Sequence, residues 1–128
     1  MAFDWSGLLK RRVMQAGDNS LQGLKACYAN EEAFRVEVVL AIILFFVAIW
    51  LANDLAQWGI LVASILLVLI VELLNSAVEA TVDRIGEEYH ELAKRAKDIG
   101  SAAVLLSMLL FVVVWGAILI SRLFYQAG

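Results

Sequence analysis

A chain of 128 residues that is 62% hydrophobic, with a mean hydropathy of +0.82, is too apolar for an ordinary soluble domain, whose apolar share is about 45–50%. With no proline and only eight glycines, nothing breaks long helices or favours sheet, so the expected fold class is all-α. The formal charge of −3 masks a split between clustered basic residues and one concentrated stretch of acids, and no nucleic-acid partner is expected.

Residues 5–16, WSGLLKRRVMQA, place Trp5, Leu8, Leu9, Val13 and Ala16 on one helical face and Ser6, Lys10, Arg11 and Gln15 on the other. This is the pattern of a basic amphipathic helix at a membrane surface. Arg12 falls inside the apolar stripe, from which it can snorkel to a lipid or nucleotide phosphate; a headgroup anchor with no catalytic part is the other reading. GDNS at 17–20 is expected to end this helix and to offer Asp18, Asn19 or Ser20 as N-cap of a second segment, beginning at Leu21, that runs into the first span. Cys27 is the sole cysteine, which excludes an intrachain disulfide and metal-type spacing, so it is read as structural. Glu31 and Arg35 lie one turn apart: either an i,i+4 pair on a solvated face or, if Glu31 faces the acids of the second span, a metal ligand.

Uncharged runs cover Val38–Asn53, Leu55–Val71 and Ile99–Ser121. A crossing helix needs about 20 residues, so three transmembrane helices are expected after the amphipathic interfacial helix. The first run lies too far from Met1 to resemble a cleaved signal peptide and reads as an uncleaved span. The chain thus divides into a surface segment, 1–29, and a three-span domain, 30–128. Lys10, Arg11, Arg12, Lys25 and Arg35 precede the first span, and Arg84, Lys94, Arg95 and Lys97 lie between the second and third. The Asn53-Asp54 turn has no basic residue, so the N-terminus and the second loop are expected in the cytoplasm and the C-terminus, with Arg122, on the far side.

That second loop, RIGEEYHELAKRAKDIGS, is charged and helix-friendly, with Gly86 and Gly100 as expected breaks. It carries His90, Lys97 and Asp98. A histidine on such a linker is usually solvated, whereas Lys97 beside Asp98 is a compact cation fixed by an acid and placed to meet a polyphosphate. Lys97 also satisfies the topology rule whatever else it does. Neither a GxxxxGK[ST] loop nor a protein-kinase catalytic loop is present, so any ATP chemistry is of another kind.

The stretch VELLNSAVEATVDRIG is the most informative. At about 100° per residue, Asn75, Glu79 and Asp83 project within about 60°, 20° and 20° of the direction of Glu72, so three acids and an amide share one face. The stripe starts directly after the apolar run, where an ionised carboxylate costs roughly 3 kcal/mol on insertion scales. A protonated acid that only sets helix packing is the plain alternative for Glu72, but three acids in register favour a functional site. From the residues alone, Glu31 is the acid that could join the stripe as a metal ligand, and Lys97 the cation placed to meet phosphate.

The run Glu72–Leu106, ELLNSAVEATVDRIGEEYHELAKRAKDIGSAAVLL, together with NEEAFR at Asn30–Arg35 and the three-span layout, closely resembles the prokaryotic integral-membrane diacylglycerol kinases from Gly23 onward. The resemblance implies ATP-dependent phosphorylation of diacylglycerol to phosphatidate in the bacterial inner (cytoplasmic) membrane, by a homotrimer with shared sites. It implies Glu72 as catalytic base and Glu31 and Glu79 as magnesium (Mg2+) ligands. Arg12, Glu31, Glu79, Glu88, Tyr89, His90, Lys97 and Asp98 match ATP-binding positions, and Asn19 stands where the family has a nucleotide-contacting tyrosine. Arg12, Glu72, the segment Ala33, Phe34, Arg35, Val36 and Glu37, with Trp50 and Ser101, match the lipid site, although Val36 replaces a glutamine there. Asn75 and Asp83 are read as supporting residues. Related enzymes that phosphorylate undecaprenol are one alternative; a small proton-coupled transporter is the alternative from another class, against which stands the crowding of the acids toward one surface.

Overall fold

The computed structural model describes residues 3–127; residues 1, 2 and 128, at the outer edges of the two expected segments, lie outside them. The described residues form four helices and no strand: α1 (Trp5–Asn30), α2 (Glu32–Leu51), α3 (Leu55–Ile85) and α4 (Glu91–Gln126). The all-α expectation is met, and α2, α3 and α4 are each long and apolar enough to cross a membrane. At 1.5 Å per residue, the 20 residues of α2 span about 30 Å, one hydrocarbon thickness. The 31 residues of α3 and 36 of α4 exceed it, so both carry their charged ends beyond the apolar zone.

The start of α1 is set by Asp4, whose carboxylate accepts the Gly7 N–H at 2.9 Å and the Ser6 hydroxyl at 2.8 Å. A Cβ at Gly7 would meet only the end of the Asp4 side chain, so the glycine lets the carboxylate lie close against the first turn. The break expected at GDNS does not occur: residues 17–20 are helical, and the Ser20 hydroxyl donates back to the Ala16 carbonyl at 2.8 Å instead of capping a new helix. An interior glycine such as Gly17 costs only about 1 kcal/mol relative to alanine, which a helix of 26 residues absorbs. The chain bends instead at Glu31, which is extended (φ −109°, ψ 113°). There the Arg35 guanidinium donates to the carbonyls of Tyr28 and Ala29 at 3.1 and 3.0 Å, closing the end of α1. Gly86 does end α3, whereas Gly100, the other expected break, lies inside α4.

The turn between α2 and α3 is tight. Asp54 caps α3 by accepting the Gln57 N–H at 2.8 Å, and the Gln57 side chain accepts the Asn53 N–H at 3.0 Å, a reciprocal arrangement close to a capping box. The core, Ala48, Leu51, Leu61 and Ile118, packs just beneath it. Arg122 of α4 stacks over the Trp50 ring at 4.3 Å and donates to the carbonyls of Trp50 and Leu51, tying α4 to the end of α2. The Trp115 indole N–H donates to the buried Ser64 hydroxyl at 3.0 Å, joining α3 to α4 where no water competes. The two longest helices are thereby fixed against each other, and the end of α3 and the start of α4 run on together past the core.

Candidate active site

The helix α3 presents the stripe foreseen in the sequence with a gradient of exposure. Glu72 is buried at 7% exposure, Asn75 and Glu79 are half-buried, and Asp83 is exposed. The gradient reflects how closely neighbouring helices cover α3; separately, about 20 residues from Leu55 reach Asn75, so Glu72 falls within a membrane-crossing length and Asp83 beyond it. The charges of Glu31 and Glu79 reach Glu72 and that of Glu72 reaches Glu37, so carboxylates of α2, α3 and the α1–α2 bend lie within electrostatic range of one another.

Glu31 is brought there by the bend, which is held by Arg35. The i,i+4 pair with Arg35 does not form, because the guanidinium is spent on the end of α1. On the other side of the bend, the Cys27 thiol donates to the Ser76 hydroxyl at 3.6 Å, seating α1 on α3. Burial pushes the Cys27 thiol up from its ordinary value, which keeps it protonated and unreactive, as its structural reading requires. A cleft of about 630 Å³ opens beside it, lined by Ser20, Cys27, Asn30, Glu31, Ser76 and Ala80 among others.

Asn75 bridges the stripe and α4. Its amide donates to Glu79 at 3.4 Å, while its Oδ1 is buried with no hydrogen-bond partner and points at Gly100, where a Cβ would strike it. That close approach of the helices explains why a glycine is tolerated within α4. The donors available to a metal are carboxylate and amide oxygens, Glu31 without an ion-pair partner and Glu79 with only the Asn75 amide. Among the described residues no three histidine, cysteine or acidic side chains gather into a ready cage. One or two carboxylates completed by phosphate oxygens is the habit of magnesium, and the donor set fits it.

A second feature lies beyond the stripe, where α3 turns into α4. A hollow of about 400 Å³ is lined by Asp83, Glu88, Tyr89, His90, Lys94, Lys97 and Asp98, among others. Five expected nucleotide positions are thus gathered in one place. His90 is the N-cap of α4, its Nδ1 accepting the Leu92 N–H at 3.1 Å, so the ring is oriented and not merely solvated. Lys97 reaches across to Asp83 of α3 at 2.5 Å. Asp98 is taken by Lys94, also at 2.5 Å, a residue to which the sequence reading gave only a topological part; its spacing of three from Lys97 was the available signal.

Other expected positions are apart in the single chain. Arg12 and Asn19 stand on α1 about 28 and 18 Å along the helix from Glu31, both exposed. Trp50 is at the opposite end of α2, against Arg122. Phe34 is buried at 3% exposure and packs inside the protein, while Ala33, Val36 and Ser101 are exposed.

The fold and the site together define a small polytopic membrane protein with a stripe of acids on α3 and a lysine-bearing hollow where α3 turns into α4. The model of the prokaryotic diacylglycerol kinase family matches residues 18–119. The chain is 49% identical to a diacylglycerol kinase of Escherichia coli (strain K12) over 111 residues, 87% of this chain and 91% of that one. It is 51% identical to a diacylglycerol kinase of Haemophilus influenzae over 100 residues, 78% and 85% of the two chains. A diacylglycerol kinase of Helicobacter pylori is 40% identical over 111 residues, 87% of each chain. This chain belongs to the prokaryotic diacylglycerol kinase family.

Proposed function

We propose that the protein transfers the γ-phosphoryl group of ATP to the free hydroxyl of diacylglycerol, with Glu72 as general base. The diacylglycerol kinase activity is that of the family and of the relatives, and it agrees with the residues of the site. The single observation that carries the assignment of roles is the gradient of burial along α3. A lipid hydroxyl arrives from the apolar side and meets Glu72 first; a nucleotide arrives from water and meets Asp83, Lys97 and the hollow first. The γ-phosphate lies between, at the level of Glu79 and Glu31.

Glu72 accepts the proton of the lipid hydroxyl as its oxygen bonds to the γ-phosphorus and the bond to the β-phosphate oxygen breaks, leaving phosphatidate and ADP. Glu31 and Glu79 would hold magnesium, which when bound offsets the charge of the bridging phosphate oxygens. Lys97 and His90 orient the polyphosphate and its nucleoside, and Asn75 holds Glu79 while its second face lies against α4. The surface helix α1, with Trp5, Leu9 and Val13 exposed, lies on the cytoplasmic face of the inner membrane, and the C-terminus lies on the far side.

Arg12, Asn19 and Trp50 do not meet the pocket within one chain, and little of each span is covered by the chain itself, 11% of the apolar stretch of α4. A homotrimer in which one subunit's α1 and lipid-facing positions complete another's acid pocket accounts for both. The test is transfer of label from the γ-position of ATP in vesicles that hold either diacylglycerol or undecaprenol. Label in phosphatidate supports the assignment, label only in undecaprenyl phosphate moves it to the alternative substrate, and label in neither lipid removes the kinase reading.

A further inference from the structure

We propose that Lys94 is a second phosphate-binding cation of the nucleotide hollow, acting beside Lys97 and exchanging Asp98 for the polyphosphate when a nucleoside triphosphate binds. The proposal rests on the reading of that hollow as the nucleotide site. Lys94 and Lys97 stand three residues apart on α4, so their Cβ atoms are about 5–6 Å apart on one face, and both line the same hollow of about 400 Å³. Each is held by a different carboxylate at 2.5 Å, Lys94 by Asp98 of its own helix and Lys97 by Asp83 of α3. Both lysines are therefore offered to one hollow from the same helix, each with its own carboxylate, so that together they can meet more than one phosphate.

The pairs are built to open. The side chains of Lys94 and Asp98 are 59% and 62% exposed, and an ion pair so open to water contributes little to stability. A triphosphate offers more charge and more acceptor oxygens than one carboxylate, so it draws the lysine away. The move also frees Asp98, whose carboxylate then accepts hydrogen bonds from donor groups of the nucleoside. Arg95, next in the chain, carries the same charge but pairs with Glu91 at 3.6 Å and is absent from the lining of the hollow. It separates a local contact from the general field of the helix.

The experiment uses the full-length protein in diacylglycerol vesicles, with Lys94→Gln, Lys94→Arg and Arg95→Gln, and reads KM for MgATP, kcat and the equilibrium binding of a non-hydrolysable MgATP analogue at low and high salt. Lys94→Gln is expected to raise KM and the dissociation constant about three- to tenfold, the effect of one charge-assisted contact, with kcat within about twofold and with a weaker salt dependence than wild type. Lys94→Arg restores most of the affinity, and Arg95→Gln leaves it unchanged. Unaltered or tighter binding in Lys94→Gln overturns the proposal, as does an equal loss in Arg95→Gln. Should wild-type protein itself bind no nucleotide, the reading of the hollow falls and the proposal with it, an outcome distinct from a wild type that binds and a Lys94→Gln that binds equally well.

Discussion

Glu72 is the residue proposed as general base. It is buried at 7% exposure at the head of the stripe, and replacing it by glutamine keeps the shape while removing the basic lone pair. Turnover of Glu72→Gln is expected to fall by about 10²–10⁴, the usual worth of a positioned general base, while MgATP affinity stays within a few fold. Wild-type turnover in this variant would remove Glu72 from the role. The two carboxylates proposed as metal ligands call for a different measurement. Glu31→Gln and Glu79→Gln each delete one anionic oxygen, so both are expected to raise the magnesium concentration needed for half-maximal rate and to weaken ATP binding. Magnesium titrations that superimpose on wild type in both variants would place the metal elsewhere.

Among the elements, α4 and α1 each carry a close contact that a single substitution tests. The Gly100 backbone sits against the Asn75 side chain, and a Cβ there has no room. Gly100→Ala is expected to lower stability by about 1–3 kcal/mol, as overpacking does, seen as a lower midpoint of thermal unfolding in detergent; Asn75→Ala in the same chain should restore part of it. An unchanged midpoint in Gly100→Ala would mean that the helices are not packed so closely. At the start of α1, the Gly7 N–H, and secondarily the Ser6 hydroxyl, hold the Asp4 carboxyl below the ordinary carboxylate range. A depressed value means that the cap is intact above the unfolded-state value, about 4, and is lost as pH falls through the folded-state value. Hydrogen exchange at the Gly7 amide is therefore expected to quicken, relative to the intrinsic rate, only in strongly acidic solution, and Asp4→Ala to show the faster exchange at every pH.

For the whole molecule, the question is assembly. Three spans enclose little: Glu72 is covered, yet Arg12, Asn19 and Trp50 face outward and away from it, and lipid offers no hydrogen bonds to half-buried acids such as Glu79. If sites are shared between subunits, mixing Glu72→Gln with Arg12→Ala, each of low activity alone, under conditions that allow exchange should rebuild some intact sites and return a minority of wild-type turnover. Continued inactivity in mixtures whose exchange has been verified would assign each site to one chain, and the kinase activity would stand without the shared-site arrangement.

The sequence by itself determined the all-α class, the three apolar spans and the face on which Glu72, Asn75, Glu79 and Asp83 lie, because each depends on hydropathy or on helical periodicity, which are local. It misplaced the breaks at GDNS and Gly100, since whether a glycine ends a helix depends on what packs against it and on how well the flanking turns are satisfied. The α1–α2 bend at Glu31 was hidden for the same reason: the capping group is Arg35, and its choice of the Tyr28 and Ala29 carbonyls over Glu31 is decided by the path of the backbone. Tertiary structure alone brought Lys97 to Asp83, gathered Glu88, Tyr89, His90 and Lys94 around one hollow, and set Asn75 against Gly100. Those contacts join α3 to α4 across the turn at Gly86, and their geometry is fixed by how two long helices pack, a property of neither helix read separately.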